Sequence, residues 1–176
     1  MIFFQVRLIG VGICLLLGQT LAQHLPEWLR PDLVLIFALA MGLRLRGTGA
    51  LILAFTFGLI FDLGSGALPG LYAFLRGTAC AATRLFDRAL YLRAPVPWAI
   101  YVLAYTVIDA LLMCAVVGFF VPGSTLTWES ILTSLPGMAI FTALLAAPLL
   151  GVFQRLDPES SPQAAWGLLA RGRSRL

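Results

Sequence analysis

Lysine is absent from this 176-residue chain, and all twelve basic residues are arginine. With no lysine there is no phosphate-binding loop of the Gly-rich type that ends in one. Charge of either sign is scarce, at 11% of residues, against about 25% in an ordinary soluble domain. Histidine occurs once, as His24, with no cluster of Cys, Asp or Glu at ligand spacing, so the sequence offers no metal centre. The three cysteines, Cys14, Cys80 and Cys114, lie in apolar stretches without a CxxC step. They read as small packing residues rather than ligands or disulfide partners. No serine sits in a nucleophile-elbow pattern. The basic residues fall in short loops and form no continuous basic face, which argues against nucleic acid as a partner. Together these absences predict a protein that is not an enzyme and holds no cofactor or metal.

What is abundant is apolar surface: 60% of the residues are hydrophobic. A chain this short cannot hide that surface from water inside one core, so its solvent is expected to be lipid. The apolar runs predict an all-α, polytopic bundle of six transmembrane helices, at about residues 2–21, 28–43, 47–63, 68–86, 96–120 and 130–154. Strands are not expected, because the runs lack the period-2 alternation of a membrane barrel. The first run resembles a signal peptide in having Thr20 and Ala22 at a cleavage-like spacing. It is apolar for about 20 residues, however, longer than the 7–15 of a secretory core, and is read as the first helix. The second run is short for a span, and Pro31 is placed in its first turn, where a missing N–H is harmless.

Arginine placement sets the expected orientation. Arg7, Arg44, Arg46, Arg84, Arg88, Arg93, Arg155, Arg171, Arg173 and Arg175 fall on one side of a six-helix arrangement, and Arg30 alone falls opposite. Positive loops stay cytoplasmic, so both termini are expected inside the cell. Trp28 and Trp128 at outer ends and Trp98 at an inner end suit interfacial depths. Residues 1–156 form the expected helical domain. Residues 157–176 form a tail in which Trp166, Leu168 and Leu169 precede three arginines. That tail fits either an interfacial segment on anionic lipid or a frayed terminus.

Asp62, Arg76 and Asp109 stand inside apolar runs, where each ionised group is costly. Helix rise places Arg76 and Asp109 at a similar depth, roughly 12 Å from the outer face, with Asp62 slightly shallower. An arginine paired with aspartate avoids an uncompensated buried charge. Arg76 is therefore expected to contact Asp109, Asp62 or both, as a lock between helices rather than an ion or ligand pathway. Asp62 and Asp109 as an intramembrane proteolytic pair are disfavoured, since Arg76 would hold one of them ionised. Ala54 and Gly58 precede Asp62 at one-turn spacing and give that helix a face of small residues suited to close approach. Gly77 with Ala81, and Gly10 with Cys14 and Gly18, repeat the spacing.

The segments "RPDLVLIFALAMGLR" and "GLIFDLGSGALPGLYAF" resemble the rod shape-determining MreD family. The resemblance rests on Arg30, Pro31, Gly58, Asp62, Leu63, Ser65, Gly66 and Gly70, with Asp109 in "YTVIDALL" at a polar position of the fifth helix. Pro69 before Gly70 departs from the family pattern, as does a basic residue at Arg76 rather than one turn earlier near Tyr72. The resemblance implies a non-enzymatic scaffold of the bacterial elongation complex. Its implied partners are MreC, the complex of RodA with a class B penicillin-binding transpeptidase, and the MreB filament, with self-association left open. It also implies a fold like the six-helix substrate-binding subunits of energy-coupling factor transporters. A vitamin-type transporter subunit is therefore the competing reading. That function needs a cavity with convergent polar groups, and the chain has few beyond the charged trio.

Overall fold

The computed structural model describes residues 2–45, 47–65, 68–90, 94–120 and 128–156. The described residues form six α-helices and no strand: α1 (Ile2–Ala22), α2 (Leu33–Arg44), α3 (Gly49–Ser65), α4 (Leu71–Leu90), α5 (Pro95–Phe120) and α6 (Trp128–Leu156). A 3-10 turn, Glu27–Leu29, joins α1 to α2. Gly66, the loop around Ser124 and the tail from Asp157 lie outside the described residues. Residues Pro95–Phe120 and Thr133–Arg155 are long and apolar enough to cross a membrane.

The distribution of polarity is inverted relative to a water-soluble protein. Arg76, Asp62, Asp109, Thr83, Thr106 and Thr142 are buried, while Leu21, Leu63, Leu85 and Phe119 are more than 70% exposed. Lipid tolerates the second group outside, and the bundle must satisfy the first group inside.

α2 is the central element. Every residue from Val34 to Leu43 is buried, as expected for a helix that is apolar all round. It lies against α4, which in turn packs along α3, while α5 pairs with α6. α1 sits at the edge, and Leu8, Gln19 and Ala22 are among its few buried side chains. Phe37 of α2 meets Phe57 edge-on at 4.8 Å between centroids, with Phe153 at 6.2 Å.

The second helix begins five residues later than expected, at Leu33 rather than Trp28. Twelve residues extend only about 18 Å, too short for a lipid-facing span. The deficit is tolerated because the helix start is wrapped in protein rather than lipid. Pro31 is not in the first turn; it precedes the cap residue Asp32, whose Oδ1 accepts the Leu35 N–H at 2.8 Å. An Asp at this position satisfies an otherwise orphaned donor, and that fixes the boundary.

Trp98 lies in the first turn of α5, at the helix end where it is expected. It is fully buried, and its indole N–H donates to the Ala146 carbonyl at 3.1 Å. The ring thus has both apolar packing and an acceptor inside the bundle. Trp28, by contrast, is 55% exposed.

Candidate functional site

Arg76 occupies the second turn of α4, and its side chain is completely buried. Nη2 donates to Oδ2 of Asp32 at 2.8 Å and to Oδ2 of Asp109 on α5 at 3.2 Å. The ring of Tyr72, one turn earlier, lies 5.7 Å from the guanidinium carbon. This is a cation–π distance, and desolvation strengthens it. Asp32 thus has two tasks, with Oδ1 on the first turn of α2 and Oδ2 on Arg76.

The start of α2 gathers further partners. The Asp32 N–H donates to Oγ1 of Thr142 on α6 at 3.0 Å, and the Leu33 N–H donates to Oε1 of Gln19 on α1 at 2.7 Å. Polar contacts from α1, α4 and α6 therefore converge on two consecutive residues, with α5 joining through Asp109. These bonds satisfy backbone donors that lipid could not. A cavity of about 130 Å³ adjoins the cluster, lined by Asp32, Tyr72, Arg76, Thr106, Asp109 and Ser134 together with apolar and sulfur-bearing side chains.

A second polar device closes the corner between α3 and α4. Asp62 is buried and accepts three backbone donors. The N–H groups of Gly70, Tyr72 and Ala73 lie 3.0, 3.0 and 3.1 Å from its carboxylate oxygens. A carboxylate at a helix start fills orphan donors and meets the positive end of the helix dipole. Gly70 has φ +91°, a conformation that favours glycine, and it turns the chain so that these donors point at one carboxylate. One turn before Asp62, Gly58 lies against the α4 backbone. A Cβ there would come within 2.6 Å of Ala73 Cα and the Tyr72 carbonyl oxygen.

A family model described as the rod shape-determining protein MreD matches residues 1–156. The chain belongs to the MreD family. No curated protein and no solved structure matches it.

In this MreD chain, the segment that carries the family resemblance has a structural meaning. Gly58, Asp62 and Gly70 build the α3–α4 corner, and Ala54 continues the same buried face of α3. Arg30 donates to the carbonyls of Gln23 and Leu25, at 2.8 and 3.4 Å, and so holds the connection that leads into α2. Pro31 is buried beside it.

The structure brings Arg76 to Asp109 but leaves Asp62 out of the ionic cluster. The carboxylate of Asp62 faces backbone donors at the helix start instead, which removes it from competition for the guanidinium.

Asp32 is the residue that sequence reasoning missed. It follows the Arg-Pro dipeptide directly and stands before a long apolar run, which is the signature of an N-cap. That signal was legible; its second role, as an arginine partner 44 positions away, was not. Of the other small-residue faces, Gly10 and Cys14 are exposed. A Cβ at Gly77 would meet only Phe55 at 3.9 Å, an ordinary contact. Gly42, not singled out in advance, is tighter: a Cβ would come within 2.5 Å of the Cys80 carbonyl oxygen and 2.8 Å of Thr83 Cβ. All three cysteines are free.

Proposed function

We propose that this MreD-family protein is a non-enzymatic scaffold of the rod-elongation complex in the bacterial inner membrane. In this reading it crosses the membrane six times, keeps both termini in the cytoplasm and binds the membrane span of MreC. Through MreC it supports RodA, the class B penicillin-binding transpeptidase and the MreB filament during peptidoglycan synthesis and rod growth.

The family match over residues 1–156 carries the rod-shape role. The scaffold reading draws further support from how the polar groups are used. Asp62 is spent on the α3–α4 corner, and Asp32, Arg76 and Asp109 on one another. Their arrangement holds helices together and presents no nucleophile–base pair. The outer surface, with Leu17, Ile52, Leu63, Phe119 and Leu144 exposed, offers apolar faces to lipid and to partner spans. In membranes such contacts are driven by packing and lipid entropy.

The transporter-subunit alternative receives less support. The polar cavity holds about 130 Å³, whereas sites for vitamin-sized ligands are about 300–1,000 Å³. A larger crevice of about 440 Å³ lies where α4 begins and α5 ends, lined by Leu68, Pro69, Gly70, Leu71, Phe74, Val116 and Phe120. No charged or hydroxyl side chain lines it to orient a polar ligand.

Affinity purification of the chain in mild detergent from its own cells is the direct test. Recovery of MreC and RodA, together with loss of rod shape on depletion, is expected. Co-purification of an ATPase pair, with shape unchanged, overturns the scaffold reading in favour of transport.

A further inference from the structure

Two acids share one nitrogen inside the bundle. Arg76 Nη2 donates to Oδ2 of Asp32 at 2.8 Å and to Oδ2 of Asp109 at 3.2 Å. The side chains of Asp32, Asp109 and Arg76 are 10%, 9% and 0% exposed. Fully ionised, the cluster carries one surplus negative charge. Two carboxylates that share so dry a site resist ionising together, because each raises the cost of charging the other. Asp62, the other buried acid, is occupied by the backbone donors of the α3–α4 corner and brings no positive charge.

The two acids are not equivalent. Both oxygens of Asp32 accept, Oδ1 from the Leu35 N–H and Oδ2 from Arg76, each at 2.8 Å. That length lies in the range of charge-assisted hydrogen bonds, about 2.7–2.9 Å. Asp109 has one contact at 3.2 Å, beyond that range, and its Oδ1 has no hydrogen-bond partner and is closed to solvent. Neither water nor an ion offsets a charge at Oδ1. An unpartnered ionised oxygen in such a place costs far more than an unpartnered neutral hydroxyl. No second cation stands nearby. Tyr72 on α4, Tyr105, Thr106 and Cys114 on α5, and Ser134 on α6 bring only hydroxyls and a thiol.

We propose that one proton completes this cluster, bound at Oδ1 of Asp109, so that the buried charges reduce to the Asp32–Arg76 ion pair beside a neutral carboxylic acid. A proton from water forms one O–H bond at Oδ1 as the bundle closes, and no electron transfer or leaving group is involved. Oδ2 stays an acceptor for Arg76 as the carbonyl oxygen of the acid, which fits its longer contact. The neutral cluster holds α5 to α2 and α4. Loss of the proton sets two like charges against one cation and weakens that hold. The unfolded chain, whose aspartates have an ordinary value of about 3.9, gives the proton up at neutral pH, whereas the folded chain keeps it. Folding therefore takes up a proton. Stability falls as pH rises, by about tenfold in the folding equilibrium per pH unit, until the folded site itself discharges. None of this depends on which partners the protein binds.

The test uses the full chain purified in a maltoside detergent, which has no ester carbonyl, and reads the infrared carbonyl band of a protonated carboxylic acid at neutral pH. The wild type is expected to show one such band, which moves when the aspartate carboxyls carry heavy carbon. Asp109→Asn is expected to remove it. Asp32→Asn is expected to remove it too, because Asp109 then balances Arg76 alone and ionises. Asp109→Glu is expected to keep a band at a shifted frequency, and Asp87→Asn, on α4 but outside the cavity, to leave it unchanged. Thermal unfolding against pH gives a second readout in a chain with one histidine and no lysine to titrate in the same range. The wild type is expected to lose stability as pH rises above neutral, and Asp109→Asn to lack that slope. Absence of the band in the wild type overturns the proposal. So does a band that survives either asparagine change in a folded protein, or an unmoved band in folded Asp109→Glu. Equal pH slopes for the wild type and Asp109→Asn overturn it as well.

Discussion

Arg76 and Asp32 meet inside the bundle, with the guanidinium Nη2 2.8 Å from Oδ2 of the residue that caps α2. The position of one helix start is thereby tied to the charge of another helix. Asp109, at 3.2 Å from the same nitrogen, adds α5. A cluster in which one arginine serves two acids has unequal members, and the consequences of removing each differ.

Arg76→Leu leaves two buried carboxylates without a cation and should be the most damaging single change in the cluster. Breaking a buried ion pair typically costs about 3–5 kcal/mol. Adding Asp109→Leu to it should restore part of that loss. Restoration stays partial because Asp32 remains buried beside the gap. Thermal stability or accumulation of Arg76→Leu, Asp109→Leu and the double variant gives the coupling, expected at about 1–3 kcal/mol. Strictly additive effects would falsify the pairing.

The two tasks of Asp32 can be separated. Asp32→Asn keeps a side-chain oxygen for the Leu35 N–H but surrenders the charge that faces Arg76. Asp32→Ala loses both. The alanine variant should therefore be the less stable of the two, by about 1 kcal/mol, the usual worth of an N-cap. Equal melting temperatures for the two variants would mean that the cap contributes nothing and that Arg76 accounts for the whole role of Asp32.

Gly58 has backbone on the far side of its missing side chain, so no flexible atom can yield. Gly58→Ala alone should destabilise the chain by about 1–3 kcal/mol, the range for overpacking, and Gly58→Leu should prevent accumulation. At Gly10 a Cβ meets nothing within 4 Å, and Gly10→Ala should be neutral or slightly stabilising, since alanine favours helix. Monodisperse protein in detergent, followed by size exclusion, reports on both. Normal yield and melting temperature for Gly58→Ala would refute the close contact between α3 and α4.

The arginine asymmetry predicts a topology that fusions can check. Reporter fusions at residue 176 and near Ser124 should report opposite compartments, with the C-terminal fusion active in the cytoplasm. A periplasmic signal at residue 176 would remove the six-span arrangement together with the inside termini.

The sequence by itself determined where the helices lie, because a long apolar run bounded by arginine, proline or glycine has few other solutions in lipid. α1, α3, α5 and α6 begin and end within two residues of the expected limits. The buried status of Asp62, Arg76 and Asp109 was legible for the same reason, as was the small-residue face of Ala54 and Gly58. Tertiary structure alone decided which groups meet. In a soluble helix, water marks the outer face and leaves a periodic stripe. In α5 both sides are largely apolar, and Thr106 and Asp109 mark only part of the protein-facing side, so the sequence does not separate Trp98 from Ile100 although one is fully buried and the other is 64% exposed. The choice of Asp32 and Asp109 over Asp62 as partners for Arg76 spans separations of 44 and 33 residues. It depends on which helices are neighbours and on how the start of α2 is placed among them, and no local propensity encodes either.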